Sequence, residues 1–268
     1  MRSLLLCCLL PIALLLTASH PLSATGPDPD PYKDGPIRVL VIDAGHGGKD
    51  PGAVGHRHYE KDITLAVALE LRDLIAKEMP EIKVVMTREK DHFVSLYRRG
   101  KLAQRHHADF FLSIHCNSSP DPKSFGSESY VLGFNPGEEN YRVHMCENRA
   151  RLYEDNYEEL YGDFDPRSPE SYIYFNLVRD VFRSESMRMA EKIQRYYRED
   201  LGSFDRGLKQ APFMVLWLSG IPGILTEIGF VSNRNEERIL SSRAGQKAVA
   251  RSLLKALQDY NAEFEEGS

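Results

Sequence analysis

Four side chains of this 268-residue chain are of types that bind a metal ion or move a proton and also lie where a predicted strand ends or a predicted helix begins. His46 lies in a glycine-rich stretch after an apolar run, and His115 ends a second apolar run. Glu60 comes just before a helical pattern, and Glu227 ends a later apolar run. Two imidazoles and one carboxylate form a catalytic zinc site, and a second carboxylate beside it can exchange protons with a reacting water.

Spacing alone leaves other interpretations of these residues open. The chain has nine histidines, and a histidine after a glycine-rich turn is commonly a loop residue that binds nothing. The stretch 45–48 could instead bind phosphate at a helix N-terminus, although it lacks both the P-loop ending and the dinucleotide spacing. Cys116 could act as a nucleophile, but neighbours on a strand point to opposite faces, so we expect it to face away from the ligands.

Alternating strand and helix patterns must position these side chains. The predicted strands are 37–43, 82–87, 109–115, 127–133, 213–218 and 223–227, and the predicted helices are 61–78, 95–108, 184–200, a short turn near Glu236, and 243–263. This alternation predicts a three-layer α/β domain with a mostly parallel sheet. In such folds, sites form at the carboxyl ends of the strands, where His46, His115 and Glu227 are expected.

The N-terminus has the pattern of a secretory signal peptide. A basic residue precedes a thirteen-residue stretch, Leu4 to Leu16, that is apolar apart from one proline and too short for a membrane span of about 20 residues. We predict a signal peptide at 1–24, a proline-rich linker at 25–36 and a single catalytic domain at 37–268. A lipoprotein anchor is the weaker alternative, because the two cysteines of this segment start the apolar run instead of following it.

Composition excludes some classes of function. The net charge of −5 argues against a general nucleic-acid binder, which needs a basic surface. No later segment is long and apolar enough for a membrane span. Removing the predicted signal peptide leaves Cys116 and Cys146, and the sequence does not decide whether they pair.

Several motifs in a fixed order resemble the zinc-dependent N-acetylmuramoyl-L-alanine amidases that separate bacterial daughter cells. They are VIDAGHGG at 41–48, DPGA at 50–53, EKDI at 60–63, TR at 87–88, SIHCN at 113–117 and TEIGFVSN at 226–233. The resemblance covers roughly residues 37–263, nearly all of the predicted mature chain. It implies a mixed, mostly parallel six-stranded sheet flanked by helices.

The resemblance also implies a site and a reaction. His46, Glu60 and His115 correspond to the family's ligands for one Zn²⁺ per chain, and Glu227 corresponds to its catalytic glutamate. The substrate would be peptidoglycan, cleaved at the amide between N-acetylmuramic acid and L-alanine in wall remodelling or daughter-cell separation. The expected location is the periplasm, with full secretion as the alternative.

Two other classes of function stay open. A zinc peptidase would cut within the stem peptide, and a non-enzyme would bind the wall through an inert domain of the same fold. Arg88 and Arg99 are expected to hold structural ion pairs. Asn117 either orients His115 or forms a turn.

The stretch 134–183 is the least regular part of the pattern. The resemblance suggests that it covers the zinc cleft until an activator protein displaces it, with Glu147, Glu154 or Glu158 near the metal. The alternative is a fixed wall of the substrate groove.

Overall fold

The computed structural model describes residues 35–133, 138–154 and 169–265, and these belong to one compact unit formed by residues 34–268. The predicted signal peptide at 1–24 and most of the predicted linker lie outside the described residues. Within the described ranges, six strands form one sheet: β1 Val39–Ala44, β2 Lys83–Met86, β3 Phe110–Asn117, β4 Ser127–Leu132, β5 Asp205–Ala211 and β6 Gly223–Phe230.

The sheet has the order β2-β1-β3-β6-β4-β5. The first four strands of this order are mutually parallel, β4 runs antiparallel to β6, and β5 is parallel to β4. Strands β3 and β6 are buried along their whole length, which explains their nearly continuous apolar sequences. The predicted mixed, mostly parallel six-stranded sheet is confirmed.

Helices cover both faces of the sheet. They are α1 Glu60–Glu78, α2 Leu96–Arg105, α3 Glu138–Asn148, α4 Pro169–Leu201, α5 Met214–Ser219, α6 Arg234–Leu240 and α7 Arg243–Glu265, with a 3-10 turn at Arg149–Tyr153. Helices α1, α4 and α7 share one apolar core with the sheet, and α2, α3 and α5 pack on a second core at the opposite face. The three-layer prediction is therefore confirmed.

One predicted strand is wrong. The run 213–218 is mostly helix, since α5 occupies Met214–Ser219, and the neighbouring strand is β5 instead. A short apolar run does not distinguish a buried helix from a buried strand. The sequence of β5 is largely polar because this strand lies at the edge of the sheet. No helix within the described ranges combines the length and apolar character needed to cross a membrane.

Candidate metal site

His46 follows β1 in a loop that brings it against β3. Its backbone has φ of +61°, and the Gly45 N–H donates to the Ile114 carbonyl at 3.0 Å. A Cβ at Gly45 would lie 2.5 Å from the His115 ring, so this close approach requires glycine. The Nδ1 atom of His46 lies 2.9 Å from the Asp50 carboxylate, which orients Nε2 toward the centre of the site.

Glu60 is the first residue of α1 and is completely buried. One carboxylate oxygen accepts from the Ala53 N–H at 2.7 Å, and the other accepts from the Cys116 N–H at 2.8 Å. These two backbone donors hold the side chain between the loop after β1 and the end of β3. The Glu60 carboxylate therefore connects two backbone segments in addition to contributing to the site.

The three residues that the sequence singled out as ligands come together. The Oε1 atom of Glu60 lies 3.1 Å from His46 Nε2 and 3.1 Å from His115 Nδ1. The two imidazole rings meet edge to face, with centroids 4.9 Å apart. His115 reaches this point because it lies near the carboxyl end of β3.

A fourth side chain completes the group from α3. The Oε2 atom of Glu147 lies 3.1 Å from His46 Nε2 and 2.9 Å from His115 Nδ1. The ligand atoms of His46, Glu60, His115 and Glu147 all lie within 4.8 Å of one another. Of the three carboxylates proposed from the sequence, Glu154 instead accepts from the Leu96 N–H at 3.0 Å, and residue 158 lies outside the described residues.

The unpartnered atoms of this group fit a bound cation. His46 Nε2 and Glu147 Oε2 are buried and close together, yet within the described residues neither has a hydrogen-bond partner. With neutral imidazoles, the four side chains carry a charge of −2, which a divalent cation balances. Imidazole nitrogen and carboxylate oxygen are also the donors that zinc accepts.

Both histidines are strongly biased toward positive charge. Burial disfavours the charged form of His46, but the Glu60 and Glu147 carboxylates outweigh burial and raise its pKa well above the usual value. Burial opposes the charge on His115 as well, yet contacts with Glu147 and Glu60 raise its pKa to about 10. The carboxylates therefore create a strongly negative potential at this point, which attracts cations.

Glu227 lies near the group formed by His46, Glu60, His115 and Glu147 but is not one of its members. It lies on β6 directly opposite His115 in the strand register. Its side chain is fully buried, and neither carboxylate oxygen has a hydrogen-bond partner among the described residues. Burial and the nearby Glu147 carboxylate raise the pKa of Glu227 well above its usual value, as expected of a group that holds and releases protons.

The two arginines in the motifs are structural, although only one forms the expected ion pair. Arg99 binds the buried Asp43 carboxylate at 2.6 Å. Arg88 instead donates to backbone carbonyl groups, including those of Ala44 and Gly45 at 2.9 and 2.8 Å. Both guanidinium groups therefore brace the loop that carries His46.

Cys116 and Asn117 follow His115 on β3, and the structure shows the contacts of both. Cys116 is 1% exposed in the core with Ile114, as predicted, and burial raises its thiol pKa well above the usual value. Cys116 and Cys146 are both free thiols. The amide of Asn117 donates to the Glu128 carboxylate at 2.6 Å, whereas the hydrogen-bond partner of His115 among the described residues is Glu60. The sequence analysis assigned no role to Glu128.

A cleft of about 490 Å³ lies over the group, bordered by His46 and Asn117 on one side and by Glu147 on the other. Its volume is in the range of small-molecule and peptide pockets. The fold and this site together define a class of protein: a three-layer α/β protein with a candidate metal-dependent hydrolytic centre at the carboxyl ends of its strands.

Comparison with known proteins identifies the family. Residues 40–259 match the model of the N-acetylmuramoyl-L-alanine amidase family, and the chain belongs to that family. The resemblance seen in the sequence motifs is therefore confirmed.

Individual relatives agree with this assignment. The chain is 33% identical over 248 residues to the N-acetylmuramoyl-L-alanine amidase AmiC of Escherichia coli, covering 91% of this chain and 57% of that relative. It is 30% identical over 235 residues to the amidase AmiA of Escherichia coli, covering 87% and 79%. The catalytic domain of the amidase CwlV from Bacillus (Paenibacillus) polymyxa var. colistinus is 29% identical with a TM-score of 0.58, covering 83% of this chain and 97% of that one.

Proposed function

We propose that this protein is a zinc-dependent amidase that hydrolyses the amide between N-acetylmuramic acid and the L-alanine of the peptidoglycan stem peptide. One observation carries the proposal. Two imidazoles and two carboxylates converge within 4.8 Å in a member of this family, and the unpartnered Glu227 carboxylate lies next to them.

His46, Glu60 and His115 would hold one zinc ion. When bound, zinc acts as a Lewis acid that polarises a carbonyl group and lowers the pKa of water. Asp50 fixes the ring of His46, and the backbone N–H groups of Ala53 and Cys116 fix Glu60. These contacts hold the ligand atoms in place before any ion binds, which lowers the cost of ordering them.

Glu227 would carry the proton. Its carboxylate takes a proton from the attacking water and then donates it to the nitrogen of L-alanine as the C–N bond breaks. The products are the free lactyl carboxylate of N-acetylmuramic acid and a stem peptide with a free amino terminus. Burial raises the pKa of Glu227, which makes its carboxylate a stronger base for the first of these two proton transfers.

We infer that this arrangement is a closed form of the site. Residues 138–154, which we call the cover, carry Glu147, whose Oε2 atom lies 3.1 Å from His46 Nε2 and 2.9 Å from His115 Nδ1. In this position Glu147 would occupy the place at the metal that substrate and water need. Asn148 ties the cover to the segment after β5, because its amide donates to the Pro212 carbonyl and accepts from the Met214 N–H. The cover would therefore have to move before peptidoglycan enters.

The cover carries exposed apolar side chains that would bind an activator protein. Tyr141 and Met145 on α3 are 53% and 42% exposed, and Leu152 and Tyr153, which border the cleft over the site, are 57% and 41% exposed. Exposed apolar side chains clustered on one short segment favour a protein contact. An activator that binds them would pull Glu147 away from the histidines during daughter-cell separation, in the periplasm or outside the cell.

Mass spectrometry of digested peptidoglycan tests the proposed reaction. Purified protein, the Glu147→Ala variant and the Glu227→Ala variant are each incubated with peptidoglycan, with and without a chelator. We expect intact stem peptides with a free L-alanine amine from the Glu147→Ala protein, and no release after chelation or in Glu227→Ala. Glu191→Gln, an exposed change on α4, is the matched control and should leave release unchanged.

Other results would point to other functions. Fragments cut within the stem peptide would contradict the amidase proposal and support a peptidase. No release from zinc-loaded Glu147→Ala protein, together with retention on peptidoglycan, would support a wall-binding protein.

A further inference from the structure

Two arginine side chains of the cover line the cleft over the candidate metal site. Arg142 on α3 and Arg149 in the 3-10 turn border this cleft of about 490 Å³, across from Asn117 and Ser118 at the end of β3. Both arginines are exposed, so a ligand in the cleft can reach them. The proposed reaction uses neither of these groups.

Helical spacing explains why both arginines face the same cleft. Arg142 and Cys146 are four residues apart on α3, and Arg149 follows Cys146 by three residues at the start of the 3-10 turn. Residues at these spacings lie on one side of a helix, and Cys146 lines the cleft as well. The two guanidinium groups therefore belong to the side of the cover that faces the floor of the cleft.

The positive charges of the two arginines are not balanced by neighbouring side chains. Within the described ranges, neither guanidinium group forms a hydrogen bond or an ion pair. The carboxylates that line the same cleft are already paired with imidazole rings: Asp50 contacts His46, and Glu147 contacts His46 and His115. A guanidinium group has five N–H donors, so the arginines offer two cations with free donors to an anionic ligand.

The chemistry of this pair indicates a carboxylate. A guanidinium group binds a carboxylate through two parallel N–H···O hydrogen bonds, which gives both affinity and geometric specificity. A ligand of this cleft has to reach the arginines and the metal position together. The stem peptide can do so, because it has the scissile amide at one end and carboxylates further along.

We propose that Arg142 and Arg149 form a carboxylate-binding pair that recognises an acidic residue of the stem peptide. This inference rests on the proposed amidase function. A helix rises about 1.5 Å per residue, so the backbone of Arg142 lies roughly 7.5 Å along α3 from that of Glu147. An extended peptide advances about 3.4 Å per residue. A peptide whose scissile amide takes the place of the Glu147 carboxylate therefore brings residue two or three of the stem to the arginines.

Opening of the cover is compatible with this role. The Oε2 atom of Glu147 is buried against the histidines, whereas the two arginines are exposed and have long, flexible side chains. A small movement of α3 that withdraws the Glu147 carboxylate leaves both guanidinium groups within reach of the cleft. The cover would then exclude the substrate in the closed form and bind its carboxylate in the open form.

Two synthetic substrates test this inference. Both are N-acetylmuramoyl tripeptides with an acidic second residue, and they differ only in whether the peptide carboxylates are free or converted to carboxamides. The readout is the ratio of their kcat/KM values in zinc-loaded Glu147→Ala protein, in which the cover is present without its carboxylate. We expect a preference of about tenfold for the free acid, the factor given by one charge-assisted hydrogen bond.

Substitutions then assign the preference to the two arginines. The double change Arg142→Gln and Arg149→Gln should reduce the ratio to below about twofold, because the charge is lost. Changing both to Lys keeps the charge and should retain part of the preference. Arg151→Gln is the matched control on the same segment, because Arg151 contacts the Met214 sulfur at 3.8 Å and does not line the cleft. Its ratio should be unchanged.

Calorimetry provides a readout that does not depend on hydrolysis. Binding of the same two compounds to chelator-treated Glu147→Ala protein should show the same preference of about tenfold in Kd. This preference should be lost in the double Gln variant and should shrink as salt is added, because the arginines are exposed.

The outcomes separate this inference from the proposed function. Equal hydrolysis and equal binding of the two compounds would overturn the arginine pair and leave the amidase function intact. If the double Gln variant slows both substrates by the same factor, the arginines are structural and the inference is again overturned. A preference in binding without hydrolysis by zinc-loaded protein would support the arginine pair and contradict the amidase proposal.

Discussion

The floor and the cover of the candidate metal site hold their side chains in different ways. In the floor, His46, Glu60 and His115 lie on strand ends and a helix start, and backbone groups or Asp50 fix two of the three side chains. In the cover, Glu147 projects from α3, a helix whose outer face stays open to solvent. The floor belongs to the central sheet, whereas the cover is added on top of it.

Because of this difference, we expect substitutions in the floor to affect stability and substitutions in the cover to affect activity. Removing a floor side chain leaves buried partners without hydrogen bonds, so the free energy of unfolding should fall. On the proposed function, removing the cover's carboxylate frees the position beside His46 and His115, so activity should rise. Four substitutions test this difference between the floor and the cover.

Glu60→Ala should have the largest effect. It leaves the buried N–H groups of Ala53 and Cys116 without their acceptor, which lowers the free energy of unfolding by about 3 kcal/mol. It also removes a ligand, so bound zinc should be lost. Urea unfolding and elemental analysis measure both effects, with the exposed Asp73→Ala change on α1 as control. Full stability with zinc retained would contradict the role of Glu60.

Glu147→Ala should raise amidase activity about tenfold, equivalent to roughly 1.4 kcal/mol. The floor keeps its three ligands, so zinc content should not change. Release of stem peptides from peptidoglycan measures the effect. Met145→Ala, on the exposed side of the same helix, is the control. An unchanged or lower rate in zinc-loaded Glu147→Ala protein would show that the cover is a fixed wall of the groove.

Glu227→Gln should change how stability depends on pH in chelator-treated protein. Because the pKa of Glu227 is raised by folding, the folded chain keeps a proton that the unfolded chain releases above its ordinary value of 4.5. The contribution of Glu227 to wild-type stability therefore falls as the pH rises above 4.5 toward its raised pKa, and the variant should lack this pH dependence. The variant should gain on wild type by roughly 1 kcal/mol per pH unit. Parallel curves would contradict the raised pKa.

Leu152→Ser should have the smallest effect. The side chain is 57% exposed on the cover, so the free energy of unfolding should change by less than about 0.5 kcal/mol. Leu71→Ala, on the buried face of α1, is the contrast and should cost about 3 kcal/mol. Thermal unfolding of both variants measures the difference. A large loss in Leu152→Ser would mean that the cover is as integral to the fold as the floor.

The sequence predicted the floor well and the cover poorly. Floor residues follow buried strands, and apolar runs of that kind give a clear pattern. The helix α3 has polar and apolar residues on all sides, so no periodic pattern marks it. Sequence patterns also failed next to the cover. The apolar run 213–218 was predicted as a strand but is mostly helix, and β5 was not predicted, because an edge strand with charged side chains lacks the apolar alternation of a half-buried strand.

The sequence by itself predicted the α/β fold and the family, and it singled out His46, Glu60, His115 and Glu227 as candidates. It could do so because strand ends and ordered motifs are local features of the chain. Only the tertiary structure decided that Glu147 lies against His46 and His115, that Asn117 donates to Glu128, and that Lys209 reaches the same carboxylate from β5. These contacts join segments far apart in the chain, and their distances depend on sheet order and helix packing, which no local pattern encodes.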